Sequence, residues 1–503
     1  MSPSPRSGRN MRLGDLLDGF AETAPHQDVI VSGLAQDSRR VAPGDVFFAL
    51  TGNRFAGLDF VRQAAAAGAV AIVSDQSRRV DAGLPQLVVD RLALHLGEIA
   101  SRFYDHPSRH LSVTGVTGTN GKTSCSQFLA QALDREPGGC GVIGTLGYGR
   151  VDRLQPASHT TPDAITLQQQ LGLMRESGLS HVVMEVSSHA LDQGRVNGTE
   201  FNAAIFTNLS HDHLDYHHDM ETYGRAKRRL FEMPALRYAV INADDSYGHT
   251  LLDTLPAHVR SLGYSLVNDQ RHAAGRAEIR GHLQQLGADG MTMTIETPWG
   301  QGILASHLFG RFNARNLLAV LGTLLLLGIP FDEALKRLAD TRSVAGRMEH
   351  LGGESGQPLV VIDYAHTPDA LQQALETVRE HCRGHVYCVF GCGGERDRHK
   401  RPVMGRVAAQ LADMTIITDD NPRGEDADRI VEEILAGMDD RVRVSVIRDR
   451  AAAIATAVQQ AATGDVVLIA GKGHEDYQLV GQRRIHFSDR QQAEESLKRM
   501  AYG

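Results

Sequence analysis

The residues best placed to do chemistry lie in one run, Leu111 to Thr123, which reads LSVTGVTGTNGKT. A short apolar stretch ends in a glycine-rich loop. Lys122 and Thr123 then open a helical pattern with apolar residues at Cys125, Phe128, Leu129 and Leu133. Glycines at Gly115, Gly118 and Gly121 let backbone N–H groups close around phosphate oxygens without side-chain obstruction. Lys122 offers a point charge to the β- and γ-phosphates, and the Thr123 hydroxyl is a ligand for Mg²⁺. The spacing departs from the usual phosphate loop, with five residues rather than four between Gly115 and Gly121. A glycine turn with an ordinary surface lysine is the alternative, but the strand–loop–helix context favours ATP.

Other residues gather where apolar runs end. Glu185 closes one such run and opens EVSSHAL, which suits a Mg²⁺ ligand or a solvated strand-end carboxylate. The next run delivers FTNLSHDHLDYHH, with Asp212, His213 and Asp215 close together. That cluster could bind metal or be a polar loop, and Mg²⁺ chemistry favours Glu185 over His213. Lys227, in YGRAKRRL, reads from spacing alone as a surface lysine. Arg396 in FGCGGERDRHKRP and Arg423 in TDDNPRGE are guanidinium groups on loops after strands. Each suits bidentate carboxylate capture or plain solvent exposure. AGKGHEDYQ follows the last apolar run, with glycines flanking Lys472.

These residues need elements to hold them, and three blocks supply them. The first, residues 1–107, alternates short β-like runs at 45–50, 69–74 and 86–89 with helical stretches such as 60–66. The second, 108–342, contains the glycine-rich loop and apolar runs at 181–186, 203–209 and 238–242. It also has a hairpin signal around TPWG and a Leu-rich helix over 316–328. The third, 343–503, repeats strand and helix, with strands at 359–363, 385–390, 414–418, 442–447 and 466–470. That alternation predicts an α/β fold with a parallel sheet, helices on both faces and ligands beyond the carboxyl ends of the strands.

Composition agrees with an ordinary globular chain of 503 residues, 42% hydrophobic and 22% charged. A formal charge of −8 gives no reason to expect nucleic acid. Five cysteines without metal-ligand spacing suggest neither a disulfide framework nor a zinc site, and a reducing cytoplasm is the default. The opening MSPSPRSGRN lacks the apolar core of a signal peptide, and the longest apolar run, 317–329, is too short to cross a bilayer.

Taken together, GTNGKT, TTPD (160–163), EVSSHAL, NLSHDHLDYH, GRFNARNLLA (310–319), GRME (346–349), DYAHTPDAL, DNPR and GKGHE resemble the Mur ligase family, in the family's order and over essentially the whole chain. The resemblance implies three domains: a uridine-nucleotide domain, a central ATPase domain and a Rossmann-like domain for the incoming amino acid. It implies an ATP-dependent amide-bond ligase in which a substrate carboxylate becomes an acyl phosphate that an amine attacks. By resemblance, Gly115, Gly118, Thr119, Asn120, Gly121, Lys122, Thr123 and Ser124 hold the triphosphate, and Asn316, Arg347 and Asp363 the adenosine part. Thr123, Glu185, His213 and a carbamylated Lys227 hold Mg²⁺. Ser38, Asn53, Arg54 and Phe55 match a uridine-diphosphate site. Thr160, Thr161, Ser187, Gln193 and Arg195 match contacts to a muramoyl dipeptide, with His159 where some members carry an Asn-like residue. Asp420, Asn421, Pro422 and Arg423, with Arg396, Gly471 and Glu475, match a meso-diaminopimelate site. A site with two arginines for a distal carboxylate and Glu475 for an ammonium would leave charges unpaired around lysine. The partners implied are small molecules, with a monomeric protein in the cytoplasm. Lysine-adding, D-glutamate-adding or folylpolyglutamate-type ligases are alternatives that the DNPR string argues against, and a nucleotide switch leaves TTPD, DNPR and GKGHE unused.

Overall fold

A computed structural model describes residues 9–52, 56–157, 159–266, 278–287, 289–353, 356–439 and 443–502. The chain forms two compact units. One holds the residues up to Gly263 with Gly322–Leu327, and the other Tyr264–Leu321 with Gly328–Gly503.

The first unit opens with a small parallel sheet of β1 (Gly33–Ala35), β2 (Asp45–Ala49), β3 (Ala71–Ser74) and β4 (Gln86–Val88), in that order. β2 and β3 are buried throughout, as their unbroken apolar runs require when both faces are covered. Helix α1 (Leu92–Phe103) buries Leu92, Leu96, Ile99 and Phe103 against this core. It docks on the following layer where Asn197 Nδ2 donates to Leu94 O at 2.8 Å.

The second layer is a twisted parallel sheet ordered β6 (Cys140–Gly144), β7 (His181–Glu185), β5 (Ser112–Thr117), β8 (Ala203–Phe206) and β9 (Tyr238–Asn242). Strands 147–150 and 153–155 extend it antiparallel beyond β6. Helix α2 (Lys122–Leu133) leaves β5 through the glycine-rich loop. Helix α3 (Ala164–Glu176) begins at an Asp163 cap that accepts from Thr166 N at 3.0 Å. Helix α4 (Ser188–Asp192) begins at Ser187, and helix α5 (Met220–Arg228) at Asp219. The expected runs at 181–186, 203–209 and 238–242 are β7, β8 and β9, the first two ending earlier because Val186 and the residues after Phe206 turn into loops.

In the second unit, β10 (Ile279–Gly287), β11 (Gly290–Thr297) and β12 (Gly300–Ser306) form an antiparallel meander, with the expected TPWG turn between β11 and β12. The Leu-rich helix spans Arg311–Leu326 rather than 316–328, because Gly310 at φ 87° starts it and Gly328 follows its end. A six-stranded sheet follows in the order β13 (Glu349–Gly352), β14 (Leu359–Asp363), β18 (Val466–Ala470), β15 (Val386–Phe390), β16 (Met414–Ile417) and β17 (Val444–Val446), with β13 alone antiparallel. β17 is shorter than the expected 442–447, whose first residue lies outside the described residues. Helix α6 (Pro368–His381) covers one face and α7 (Asp489–Tyr502) closes the chain. The ring of Phe309 is stacked between His350 and His381, at 4.4 Å from each. Among the described residues no helix is long and apolar enough to cross a membrane.

Candidate functional site

In the first unit the site grows from the end of β5. The loop runs from Gly118 to Gly121, and Gly115 lies three residues earlier, inside the strand. This corrects the expectation that Gly115 lines the phosphate cradle. A side chain there would press on the Phe201 ring at 2.9 Å, so Gly115 is small for packing. The extra residue in the spacing is therefore strand, not loop. Gly118 has φ 150°, and a Cβ on it would sit 1.9 Å from Thr207 Oγ1. Gly121 at φ 85° turns the chain into α2, so that Lys122, Thr123 and Ser124 occupy its first turn.

The loop is clamped from outside. Thr119 N donates to Asn208 O at 2.8 Å, Asn120 N to Asn208 Oδ1 at 3.0 Å, and Thr207 Oγ1 to Asn120 O at 2.6 Å. Thr119 Oγ1 lies 3.1 Å from the Tyr223 hydroxyl and accepts from Ser210 N. Thr207, Asn208 and Tyr223 are functional neighbours that the sequence reading did not single out, although Asn208 lies within the quoted NLSHDHLDYH string.

Two lysines meet at one carbonyl. Lys122 Nζ donates to Gly118 O at 2.8 Å and to Thr119 O at 2.8 Å; Lys227 Nζ donates to Gly118 O at 2.9 Å. Lys227 is 1% exposed, and its Nζ lies 4.2 Å from the centre of the Tyr223 ring. Burial, and then the neighbouring Lys122 charge, hold the Lys227 amine well below the usual lysine range. Spacing alone made Lys227 a surface lysine. The structure overturns that, because α5 turns it inward beneath the loop.

Glu185, at the end of β7, is 1% exposed. Its carboxylate accepts from Thr123 Oγ1 at 2.9 Å, Thr145 N at 2.8 Å and Thr145 Oγ1 at 3.1 Å. The solvated strand-end reading of Glu185 therefore fails. Thr123 and Glu185 present adjacent hard oxygens that fit Mg²⁺, beside a loop of N–H groups and two lysine side chains that fit phosphate. His213, at φ 54°, is half-exposed, with its ring 4.9 Å from that of His189 and 6.1 Å from that of Tyr223, whose ring also lies against Lys227 Nζ.

From Glu185 the hydrogen-bonded surface continues. Thr145 Oγ1 lies 3.1 Å from Thr160 Oγ1, and Thr161 Oγ1 donates to Glu185 O at 2.9 Å while accepting from Ser187 N at 3.0 Å. Arg195 Nε donates to Gln193 Oε1 at 2.8 Å and Nη1 to Thr161 O at 3.3 Å. Thr160, Thr161, Ser187, Gln193 and Arg195 thus form one surface with the residues proposed for metal. Ser38 sits apart in the small sheet domain, donating to Gln63 Oε1 at 3.0 Å. Asn53, Arg54 and Phe55 lie outside the described residues.

The second unit carries two further groups. At the end of β14, Asp363 Oδ2 accepts from Met348 N at 2.9 Å, and burial pushes its carboxyl above the usual range against the pull of Arg347. The Arg347 guanidinium lies 4.9 Å from the centre of the Tyr364 ring, and its buried Nε has no hydrogen-bond partner among the described residues. Asn316 is buried in the Leu-rich helix, donating to Asn313 Oδ1 at 3.1 Å.

Beyond β16 and β18 the DNPR and GKGHE loops interlock. Asn421 Nδ2 donates to Glu475 Oε2 at 2.9 Å, and Asn421 Oδ1 accepts from Leu479 N at 2.9 Å. Arg423 adopts φ 52°, donates from its N to Leu479 O at 3.0 Å and from Nη1 to Gly394 O at 2.8 Å. It thereby pairs with Val480 in the hairpin of strands 477–480 and 483–486. Arg396 is exposed on the same Gly393–Gly394 loop, and Pro422 O accepts from Glu425 N at 3.1 Å. Gly471 has φ 117°, and a Cβ on it would meet Asp420 Oδ2 at 2.5 Å. Burial pushes the Asp420 carboxyl up. Arg401 supports the loops from below: it is 0% exposed and donates to both Glu425 oxygens at 2.8 Å and to Glu433 Oε2 at 2.7 Å.

A phosphate loop backed by a buried carboxylate and lysine in one unit, and interlocked charged loops beyond the strands of a doubly wound sheet in the other, define an ATP-handling α/β ligase scaffold. Family models match in series: a Mur ligase family catalytic domain over residues 30–104, a Mur ligase middle domain over 116–324 and a Mur ligase glutamate ligase domain over 346–473. The UDP-N-acetylmuramoyl-L-alanyl-D-glutamate–2,6-diaminopimelate ligase of Coxiella burnetii is 47% identical over 490 residues, covering 96% of this chain and 99% of its own. The ligase of the same description from Ectopseudomonas mendocina is 48% identical over 479 residues, covering 94% and 96%. A solved structure described as a UDP-N-acetylmuramoyl-L-alanyl-D-glutamate–2,6-diaminopimelate ligase aligns with TM-score 0.73 at 34% identity, covering 98% of this chain and 100% of its own. The chain belongs to the Mur ligase family.

Proposed function

We propose that this protein is an ATP-dependent ligase that adds meso-diaminopimelate to UDP-N-acetylmuramoyl-L-alanyl-D-glutamate during peptidoglycan precursor synthesis. The observation that carries the reading is the near-full-length likeness, at 47% identity, to a ligase of that description. The domains are 1–107 for the uridine nucleotide, 108–342 for ATP and 343–503 for the amino acid.

A carboxylate is a poor electrophile, and transfer of the ATP γ-phosphoryl group to the D-glutamate side chain gives it a leaving group. The diaminopimelate amine then attacks the acyl phosphate, a tetrahedral intermediate collapses to the amide, and phosphate leaves. The protein's work is positioning and charge neutralisation. Gly118–Gly121 and Lys122 bind the phosphates. Thr123, Glu185, His213 and Lys227 would hold Mg²⁺, which neutralises phosphate charge when bound. Burial and the neighbouring Lys122 charge disfavour the ammonium form of Lys227, which favours uptake of CO₂ by its amine; the carbamylated residue is an anion suited to that role. Thr160, Thr161, Ser187, Gln193 and Arg195 orient the dipeptide carboxylate next to Glu185. Arg396 and Arg423 receive the distal carboxylate of diaminopimelate and Glu475 its ammonium, the polarity that a lysine substrate cannot satisfy. Small-molecule substrates, no nucleic acid, a monomer and a cytoplasmic setting complete the reading.

Phosphate release from ATP with UDP-N-acetylmuramoyl-L-Ala-D-Glu tests it. Release is expected with meso-diaminopimelate and neither with L-lysine nor without an amino acid. Release with lysine would keep a ligase and refute the role of DNPR; no release in any arm would refute the ligase.

A further inference from the structure

Lys472 stands out among groups to which no role has been given. It is a lysine with 0% exposure, between two glycines, directly after β18. Burying an ammonium is costly unless it is paired and fully hydrogen-bonded. Lys472 Nζ donates to Asn421 Oδ1 at 3.1 Å and to Glu475 Oε2 at 3.1 Å, and lies 3.7 Å from Asp420 Oδ1. Two hydrogen bonds and one ion pair thus hold the ammonium among protein groups, with no exposed face to offer a substrate.

The partners are the polar groups of the DNPR and GKGHE loops themselves. Asn421 Nδ2 also donates to Glu475 Oε2 at 2.9 Å, closing a ring of Lys472, Asn421 and Glu475. Both bonds fall on Oε2, and among the described residues none is made to Oε1. Below the ring, Arg450 forms a fully buried bidentate pair with Asp489, at 2.7 Å on each oxygen, and donates to Ala470 O. Asp420 and Glu475 thus share the one ammonium of Lys472, while Asp489 is taken up by Arg450. Glu475 Oε1 is the carboxylate oxygen left to meet a ligand cation.

We infer that Lys472 is a positioning residue for amino-acid selectivity: it fixes Asn421 and Glu475 so that Glu475 Oε1 receives the distal ammonium of a diamino-dicarboxylic acid. The inference rests on the proposed ligase function. Without Lys472, Glu475 and Asp420 repel one another, and the Glu475 carboxylate swings away from the ligand while the phosphate loop is untouched.

The test is a double-mutant cycle on the full-length protein with K472M, K472Q, E475Q and the paired K472M/E475Q and K472Q/E475Q variants. KM is measured for meso-diaminopimelate, ATP and the nucleotide sugar. Either Lys472 variant should raise KM for diaminopimelate about 10- to 100-fold, with KM for the other two substrates within about 2-fold, the scale of a lost charge-assisted contact. Discrimination against 2-aminopimelate, which lacks the distal ammonium, should collapse in the same variants. On the E475Q background the Lys472 substitutions should cost less than about 3-fold, because their effect runs through Glu475. Equal losses on both backgrounds, a parallel rise in all three KM values, or failure of both Lys472 variants to fold would overturn the inference and make Lys472 a packing residue. Wild-type protein without diaminopimelate-dependent phosphate release would refute the parent reading, whatever the variants do.

Discussion

At the scale of single residues, the phosphate loop depends on atoms that cannot move apart. Gly118→Ala would drive a methyl group to 1.9 Å from Thr207 Oγ1, in a backbone conformation that L-residues rarely adopt. The expected outcome is a rise of about 100-fold or more in KM for ATP with little change in KM for diaminopimelate, read from initial rates. Lys227→Ala removes the buried amine, and Lys227→Arg keeps a charge that cannot be carbamylated. Both should lower kcat by about 10²- to 10³-fold, the size of a lost charge-stabilising group. An R variant with full activity would reject carbamylation. The loop and Glu185 were legible because their chemistry is local in sequence: strand, glycines, lysine and threonine are contiguous, and Glu185 ends a clear apolar run. Lys227, Lys472 and Tyr223 were not, since a buried lysine and an exposed one look alike in one dimension. Gly115 misled for a related reason, because a glycine kept small for Phe201 is indistinguishable in sequence from one kept for phosphate.

At the scale of elements, two arrangements in the second unit make stability depend on charge. His381 donates from Nδ1 to Gly287 O at 2.6 Å and accepts from Gly310 N through Nε2 at 3.1 Å, so β10, the start of the Leu-rich helix and α6 are tied through one neutral ring. Burial holds His381 and His350 below the ordinary histidine value, although Glu380 pulls His381 upward while His307 and His381 push His350 down. An unfolded chain therefore takes up protons that the folded one refuses. Stability should be full above about pH 6.5 and fall by at most about 1.4 kcal/mol per pH unit per histidine below it. Denaturant midpoints at pH 7.5 and 5.5 measure this, and H381Q should flatten the slope. Arg401 works with the same sign in a lower pH window. Its hydrogen bonds hold Glu425 down to about 2, so this contribution persists above the ordinary glutamate range and is lost as pH falls from about 4.5 towards 2. R401M leaves only the partly exposed Arg398 to bridge Glu425 and Glu433 and should cost about 1–3 kcal/mol. Strand positions were legible because parallel strands are continuous apolar runs, whereas these clusters join residues tens of positions apart.

At the scale of the whole molecule, the chain has two compact units with separate cores. Calorimetry should resolve two unfolding transitions. Meso-diaminopimelate should raise the one that also responds to pH near 6, and the nucleotide sugar the other. A ligand at 100 times its Kd contributes about 2.7 kcal/mol to the unit that binds it. Both ligands moving a single transition equally would count against the assignment of substrates to units. The three-part α/β plan was legible from the change between blocks of short runs, while the division at Gly263 was not, because β10 to β12 carry no mark of the unit they join. The pairing of Arg423 with Val480 has a consequence for how selectivity can change over time. Arg423, to which the proposed function gives the reading of the amino acid, is held in register by hairpin residues 477–486, none of which touches the DNPR string in sequence. Drift in that hairpin would retune substrate choice while every recognised string stayed intact, so an inventory of strings can misjudge a relative whose hairpin has changed.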